Sequence, residues 1–166
     1  MFNLEALLKQ LAQHQVSFIL VGGVAATAHG SARLTQDLDI VYDRSPANLT
    51  RLALALSSCR PYLRGAPPGL PFKFDAPTLK RGLNFTLTTS LGALDLLGEI
   101  TGGGGYQALL PFTLHLDLFG LDCLCLALDK LIAVKRAVGW PKDLEVIAEL
   151  ESILAEKQRG SSPGSP

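Results

Sequence analysis

The stretch that decides the fold runs from Val21 to Val41 and reads VGGVAATAHGSARLTQDLDIV. An apolar run ends in Gly22-Gly23, and after thirteen further residues Asp37 and Asp39 lie one residue apart in an apolar, β-branched segment. On a strand, residues i and i+2 share a face, with about 6.6 Å between their Cα atoms. Two acids on one face repel each other and resist burial unless a cation neutralises them.

Divalent metal ions are the cations that fit such a pair best. If Gly22-Gly23 opens a helix, its backbone N–H groups and positive dipole end favour a phosphate at that point. A phosphate cradle close in sequence to metal-binding carboxylates predicts phosphoryl or nucleotidyl transfer.

The composition is that of one globular domain. The chain has 166 residues, 48% of them apolar and 18% charged, with fifteen charges of each sign. Zero net charge argues against an extensive nucleic-acid surface, but Lys130, Lys135, Arg136 and Lys142 can form one basic strip. We predict a single domain over residues 1–157 and a disordered polar tail over 158–166.

Cysteine usage and apolar run length indicate a cytoplasmic protein. No apolar run reaches the roughly 18 residues of a membrane span, and no secretory leader is expected at the start of the chain. Three cysteines, an odd number, favour reduced thiols. Cys123 and Cys125 are predicted to be small buried hydrophobes rather than a disulfide or metal ligands.

Hydrophobic periodicity predicts helices and strands that alternate early and strands that cluster later, in an α/β or α+β fold with one mixed sheet. The predicted helices cover residues 3–14, 24–29, 46–58, 128–138 and 142–157. The predicted strands cover residues 17–21, 36–42, 83–88, 92–98, 112–119 and 121–126. Prolines and glycines predict loop over 59–80, with one short strand at 71–75, and a flexible loop at 102–105.

Two parts of the chain resemble one family. The string from Val21 to Ile40 resembles the nucleotidyltransferase superfamily signature, in which a hydrophobic residue and Gly-Gly or Gly-Ser precede a helix and then Asp-hydrophobic-Asp. It is similar in particular to the minimal prokaryotic nucleotidyltransferases, which include members of toxin–antitoxin and abortive-infection systems. LDKLIAVKRAVGWPKDLEVIAEL (128–150) is similar to that family's lysine-bearing helix and the helix start after it.

The resemblance, which spans roughly residues 1–155, implies a nucleotidyltransferase-like fold: a central mixed sheet flanked by helices, with a C-terminal helical pair. It also implies Mg²⁺-dependent transfer of a nucleoside monophosphate from a nucleoside triphosphate such as ATP, through a two-ion site in which Mn²⁺ is an alternative. Gly22 and Gly23 would hold the triphosphate, and Asp37 and Asp39 the metal ions. The acceptor stays open between an RNA 3′ end, a protein hydroxyl and a small molecule, and a cognate toxin or antitoxin is an expected partner.

The family's third carboxylate lies between hydrophobic residues on a neighbouring strand. Asp95 and Asp117 both match that setting. We favour Asp95, since it follows the first strand after the acidic pair and precedes the glycine loop, as in the family.

Cationic residues complete the predicted site. Lys135 falls in the middle of the face formed by Leu128, Leu131, Ile132 and Val138, where it meets a triphosphate or an active-site carboxylate, or extends its ammonium group to solvent. Arg33 is predicted to bind phosphate or Asp37, with a structural salt bridge as the alternative. Asp143 is expected in the first turn of the last helix, either stabilising the helix dipole or ordering Lys135 or Arg33.

The alternative function is non-catalytic. A degenerate copy of such an enzyme would bind a nucleotide or a partner protein, as an antitoxin subunit does. Magnesium-dependent binding of a triphosphate separates the two hypotheses.

Overall fold

The computed structural model describes residues 2–160. Its helices are α1 (Leu4–Gln13), α2 (Gly22–Ala28), α3 (Pro46–Leu56), α4 (Ala76–Arg81), α5 (Tyr106–Leu109), α6 (Leu128–Val138) and α7 (Leu144–Gly160). Its strands are β1 (Phe18–Val21), β2 (Asp37–Tyr42), β3 (Tyr62–Leu63), β4 (Asn84–Thr89), β5 (Gly92–Leu97), β6 (Glu99–Ile100), β7 (Gly104–Gly105), β8 (Thr113–Leu118) and β9 (Leu121–Leu126).

Seven strands form one mixed sheet in the order β3-β4-β5-β2-β1-β9-β8. The pairs β2–β5 and β1–β9 are parallel, and the other four neighbouring pairs are antiparallel. The strands β6 and β7 form a separate antiparallel pair. The predicted fold class, a central mixed sheet flanked by helices, is confirmed.

The two faces of β2 explain how the sheet is covered. Leu38 and Ile40 are fully buried, while Asp37 and Asp39 on the opposite face are partly exposed. Helix α3 packs against α1 and α4 on the apolar face, and α6 packs against α2 and α7 on the acidic face. Strand β1 is buried along its whole length, because helices cover it on both sides.

Local sequence sets the ends of several helices. The Asn3 side chain accepts a hydrogen bond from the Ala6 N–H and caps α1, and Pro46 occupies the first turn of α3. Helix α6 ends at Gly139, whose φ of +72° is readily adopted by glycine. Helix α2 begins at Gly22, two residues before its predicted start.

The proline-rich middle of the chain was predicted less well. The strand expected at 71–75 is absent there, and the short strand is β3, formed by Tyr62 and Leu63. Helix α4 was missed, although Asp75 caps it by accepting a hydrogen bond from the Thr78 N–H and Pro77 lies in its first turn. The glycines at 102–105 end in β7, which leads directly into α5, so they do not form only a loop.

The remaining observations concern the C-terminal half of the chain, the cysteines and membrane spans. Helix α7 extends to Gly160 and so includes the first three residues of the predicted tail; residues 161–166 lie outside the described residues. Val138 is 40% exposed, contrary to its predicted place on the buried face of α6, and Val134 is buried instead. All three cysteines are free and buried. Among residues 2–160, no helix combines the length and apolarity that crossing a membrane requires.

Candidate active site

The register of the sheet brings three carboxylates together. Asp39 on β2 is the partner of Val21 on β1 and of Asp95 on β5. Asp37 lies two residues before Asp39 on the same face of β2. One carboxylate oxygen from each of Asp37, Asp39 and Asp95 lies within 4.8 Å of the other two. Among residues 2–160, this is the one group of three acidic, histidine or cysteine side chains close enough to share an ion.

The structure separates the two residues considered for the third carboxylate. Asp95 joins the cluster, whereas Asp117 is on β8 at the far edge of the sheet. The Asp117 side chain there accepts a hydrogen bond of 2.9 Å from the Gly120 N–H and closes the β8–β9 turn. Asp117 therefore has a structural role in a turn and lies apart from the acidic pair.

Asp39 is the most strongly perturbed of the three acids. Burial, and then the neighbouring charge of Asp37 and the contact with Asp95, raise the pKa of Asp39 to about 8. Its Oδ1 atom is buried and has no hydrogen-bond partner among the described residues. A buried acceptor without a partner is costly, so a ligand at this oxygen would relieve that cost.

The donor set suits a hard divalent cation. All three groups are carboxylates, and Mg²⁺ takes oxygen ligands from a few carboxylates together with phosphates and water. A divalent ion would also offset the repulsion that raises the pKa of Asp39. The residues present thus fit Mg²⁺ or Mn²⁺.

Gly22 and Gly23 pack closely against the segment that carries the acids. Gly22 has a φ of +66°, and a Cβ atom at this position would lie 2.0 Å from Asp39 Oδ2. A Cβ atom on Gly23 would lie 2.8 Å from Thr35 Oγ1, and that hydroxyl donates a 3.0 Å hydrogen bond to the Asp37 carbonyl. No side chain caps the start of α2. Backbone N–H groups are therefore the donors that this turn presents next to Asp39.

Two clefts border these residues. The first has a volume of about 310 Å³ and is lined by Gly22, Asp39 and Lys135 together with a largely apolar wall. That wall comprises Val21, Leu97, Ile100, Leu126, Leu131, Val134 and Val138, with Asn84, Glu99, Thr101 and Asp143 as its polar members. An apolar wall with a few polar groups is typical of small-molecule sites.

The second cleft has a volume of about 590 Å³ and is more polar. Gly23 and Asp37 line it, together with the cationic residues Arg33, Lys135 and Lys142. Lys135 and Asp143 line both clefts. The predicted position of Lys135 on a buried helix face thus corresponds to a half-buried side chain that lines both the cleft with Asp39 and the cleft with Asp37.

Arg33 and Asp143 differ from their simplest predicted roles. Arg33 forms ion pairs of 3.6 Å with Glu145 and with Glu149 of α7, so its partners are these glutamates rather than Asp37. This agrees with the structural salt bridge considered as the alternative. Asp143 lies in a 3₁₀ turn, Pro141–Asp143, immediately before α7 rather than in the helix itself.

Arg64 is the neighbour of the acids that the sequence did not reveal. Its Nη2 atom donates hydrogen bonds to Asp95 Oδ1 at 2.8 Å and to the Leu87 carbonyl at 2.7 Å. Asn84 and Glu99, which line the first cleft, were also missed. No motif marks these residues, because they reach the site only through the pairing of β3, β4 and β5 and the hairpin that follows.

Comparison with known proteins identifies the fold. No protein-family profile matches the chain, and no curated protein sequence does. A crystal structure of a "putative nucleotidyltransferase" from Thermotoga maritima is similar over 92% of this chain and 91% of that chain, with a TM-score of 0.53 and 14% sequence identity. Identity this low supports similarity of fold alone. The chain thus has a nucleotidyltransferase-like fold, with the acid cluster on its central strands.

Proposed function

We propose that this protein is a metal-dependent nucleotidyltransferase that moves a nucleoside monophosphate from a nucleoside triphosphate to an acceptor hydroxyl. One observation carries the proposal: single carboxylate oxygens of Asp37, Asp39 and Asp95 lie within 4.8 Å of one another, and Asp39 lines a cleft together with Gly22 and Lys135. The nucleotidyltransferase-like fold of the similar structure supports the same reaction class.

In this proposal the three carboxylates hold Mg²⁺, with Mn²⁺ as a substitute. When bound, the metal supplies charge neutralisation for the attacking and leaving oxygens at the α-phosphorus. The acceptor oxygen forms a bond to that phosphorus, the bond to pyrophosphate breaks, and a carboxylate of the cluster accepts the hydroxyl proton. Gly22 and Gly23 bind phosphate through their backbone N–H groups, and Lys135 stabilises the negative charge of the triphosphate.

The first cleft is the proposed nucleotide site. Its apolar wall offers a surface for a base and ribose, while Asp39, Gly22 and Lys135 lie at the end where phosphates are needed. ATP is the first nucleotide to test. Arg33 lines the second cleft and binds phosphate there. Its surface ion pairs with Glu145 and Glu149 break, and contacts with the phosphate replace them.

The second cleft is the proposed entry for the acceptor. It reaches Asp37 and carries Lys142 and Arg33, so an acceptor with negative charge near its hydroxyl would be favoured. An RNA 3′ end, a protein hydroxyl and a small molecule remain the three classes to assay. A role in a toxin–antitoxin pair, with a cognate protein partner in the cytoplasm, follows from the sequence resemblance.

Transfer of a labelled nucleotide tests the proposal. The protein is incubated with α-³²P-labelled triphosphates, Mg²⁺ and each acceptor class, and label on the acceptor is counted. We expect Asp39→Asn to lower transfer by at least about 10³-fold, because an amide cannot replace a carboxylate that neutralises metal. Asp117→Asn is the matched control and should transfer normally. Undiminished transfer by Asp39→Asn would contradict the assignment.

A second candidate function is binding without turnover. The observation that favours it is the ion pair between Arg64 and Asp95, which engages one oxygen of the third carboxylate. A degenerate module of this kind would bind a triphosphate or a partner protein without transferring label. Calorimetry with ATP and Mg²⁺ distinguishes it: saturable binding together with no transfer to any acceptor class supports a nucleotide-binding module, and no magnesium-dependent binding supports a partner-binding module.

A further inference from the structure

The guanidinium of Arg64 lies directly on the third carboxylate of the cluster. Arg64 follows β3, and its backbone N–H donates a 2.9 Å hydrogen bond to the Thr86 carbonyl on β4. Thr86 is in turn the register partner of Asp95 on β5. The sheet itself therefore fixes the point from which the arginine side chain crosses β4 to reach Asp95 Oδ1.

Stability alone does not account for this arrangement. The side chains of Arg64 and Asp95 are 31% and 22% exposed, so the ion pair is largely removed from water. The Arg64 Nε atom is buried and lacks a hydrogen-bond partner within residues 2–160. A partly buried ion pair with an unmet donor contributes little to stability and can be unfavourable relative to apolar packing.

The charge balance of the cluster gives Arg64 a different role. Asp37, Asp39 and Asp95 together carry three negative charges when ionised. The ion pair with Arg64 is the one salt bridge that the described residues form with them. A single divalent ion balances the remaining two negative charges. One oxygen of Asp95 already accepts a hydrogen bond from Arg64.

We propose that Arg64 is a positioning residue that limits the protein's own acid cluster to one divalent ion. A second ion then enters only with the triphosphate, whose phosphate oxygens supply the missing ligands. This inference rests on the proposed nucleotidyltransferase function, and it concerns how the metal content of the site is set rather than which reaction follows.

Titration with Mn²⁺, followed by the loss of its free-ion electron paramagnetic resonance signal, tests the proposal without nucleotide or turnover. We expect the unmodified chain to bind one Mn²⁺. Arg64→Gln should bind its first Mn²⁺ roughly tenfold more tightly and should take up a second Mn²⁺ without nucleotide, because the nearby positive charge that repels both ions is gone. Arg64→Lys keeps the charge and should match the unmodified chain. Arg81→Gln, the same charge change on α4, is the matched control.

Two outcomes would overturn the role of Arg64. One is binding of two Mn²⁺ ions by the unmodified chain in the absence of nucleotide, a result that needs no variant to fold. The other is Mn²⁺ binding by Arg64→Gln that is unchanged or weaker. If Asp39→Asn loses Mn²⁺ binding, the metal site itself is supported even when the role of Arg64 is overturned. No Mn²⁺ binding by the unmodified chain would overturn both the metal site and the role of Arg64.

Discussion

At position 22 a glycine is required for two separate reasons. Its φ of +66° lies in the left-handed region, and a Cβ atom would lie 2.0 Å from Asp39 Oδ2. An alanine at position 22 would lose about 1 kcal/mol of folding free energy through its backbone conformation. Its Cβ atom would also push Asp39 out of its place beside Asp95. The contact therefore links the geometry of the turn at Gly22 to the geometry of the acid cluster.

We predict that Gly22→Ala lowers the free energy of unfolding by about 2–4 kcal/mol and weakens Mn²⁺ binding. Gly120→Ala separates the two causes. Gly120 has a φ of +80° and open space where its Cβ would lie, so it should lose only the conformational part, about 1 kcal/mol. Urea unfolding of both variants is the measurement, and equal losses would show that the contact with Asp39 contributes nothing.

Residue spacing predicted the pair Asp37 and Asp39, and the family resemblance pointed to Asp95, but neither predicted the difference between the two paired acids. In sequence Asp37 and Asp39 look equivalent, since both are acids on one strand face. In the sheet, Asp39 has Val21 and Asp95 as its register partners, whereas Asp37 is opposite Ala93. Burial and close acidic neighbours therefore act most strongly on Asp39 and raise its pKa. Register is a property of strand pairing, and a single sequence carries no direct signal for it.

At the scale of elements, His29 connects the end of α2 to the rest of the molecule. The Leu126 carbonyl at the end of β9 can only accept, so His29 Nε2 carries the proton and donates at 2.8 Å. The Nδ1 atom then accepts from Lys157 Nζ on α7 at 3.3 Å. Burial lowers the pKa of His29, which keeps the ring neutral. One side chain thus joins α2, β9 and α7.

We predict that His29→Leu lowers the free energy of unfolding by about 1–3 kcal/mol, because the Leu126 carbonyl loses its buried donor. His29→Gln retains an amide donor and should lose less. Because the native pKa is below that of the unfolded chain, the unfolded state takes up the proton first. The stabilising effect of the neutral ring is therefore present above about pH 6.5 and declines as the pH falls below it. Urea unfolding between pH 5 and 8 measures this decline, which His29→Leu should lack.

The elements that sequence predicted well are those with strong periodicity or caps. Strand β2 and helices α1, α3 and α6 agree with their predicted limits to within two residues. Strand β3 and helix α4 were missed because prolines and glycines obscure both patterns between residues 59 and 80. Arg64 lies in that same segment, so the error in the element and the omission of the residue have one cause.

At the scale of the whole molecule, the strand order places the acids where three segments meet. Strand β2 is the central strand of seven, with β1 and β5 as its neighbours. The two regions that resemble nucleotidyltransferases supply Gly22, the acidic pair and Lys135, while the segment between them supplies Asp95. The size and lining of the two clefts depend on how α6 and α7 pack over the sheet. Hydrophobic periodicity in the sequence does not predict that packing.

The acid cluster opposes folding when no cation is bound. The native pKa of Asp39 is about 8, against an ordinary aspartate value of 3.8. Between these values the folded chain holds a proton that the unfolded chain has released. Metal-free stability should therefore fall as the pH rises from about 4 to 8. Asp39→Asn, which resembles the protonated acid, removes this contribution and should be the more stable protein at pH 8.

Bound metal should reverse that order. At a Mn²⁺ concentration of 100 times its dissociation constant, linkage stabilises the native state by about 2.7 kcal/mol, or roughly 5–10 °C in Tm for a domain of this size. Asp39→Asn should gain almost nothing. Thermal unfolding of both proteins at pH 8, with and without Mn²⁺, makes the comparison. A Tm increase of equal size in both would mean that the ion binds elsewhere. A crossing of the two stabilities on adding metal would mean that this cluster gives up stability in the free protein in order to bind a cation.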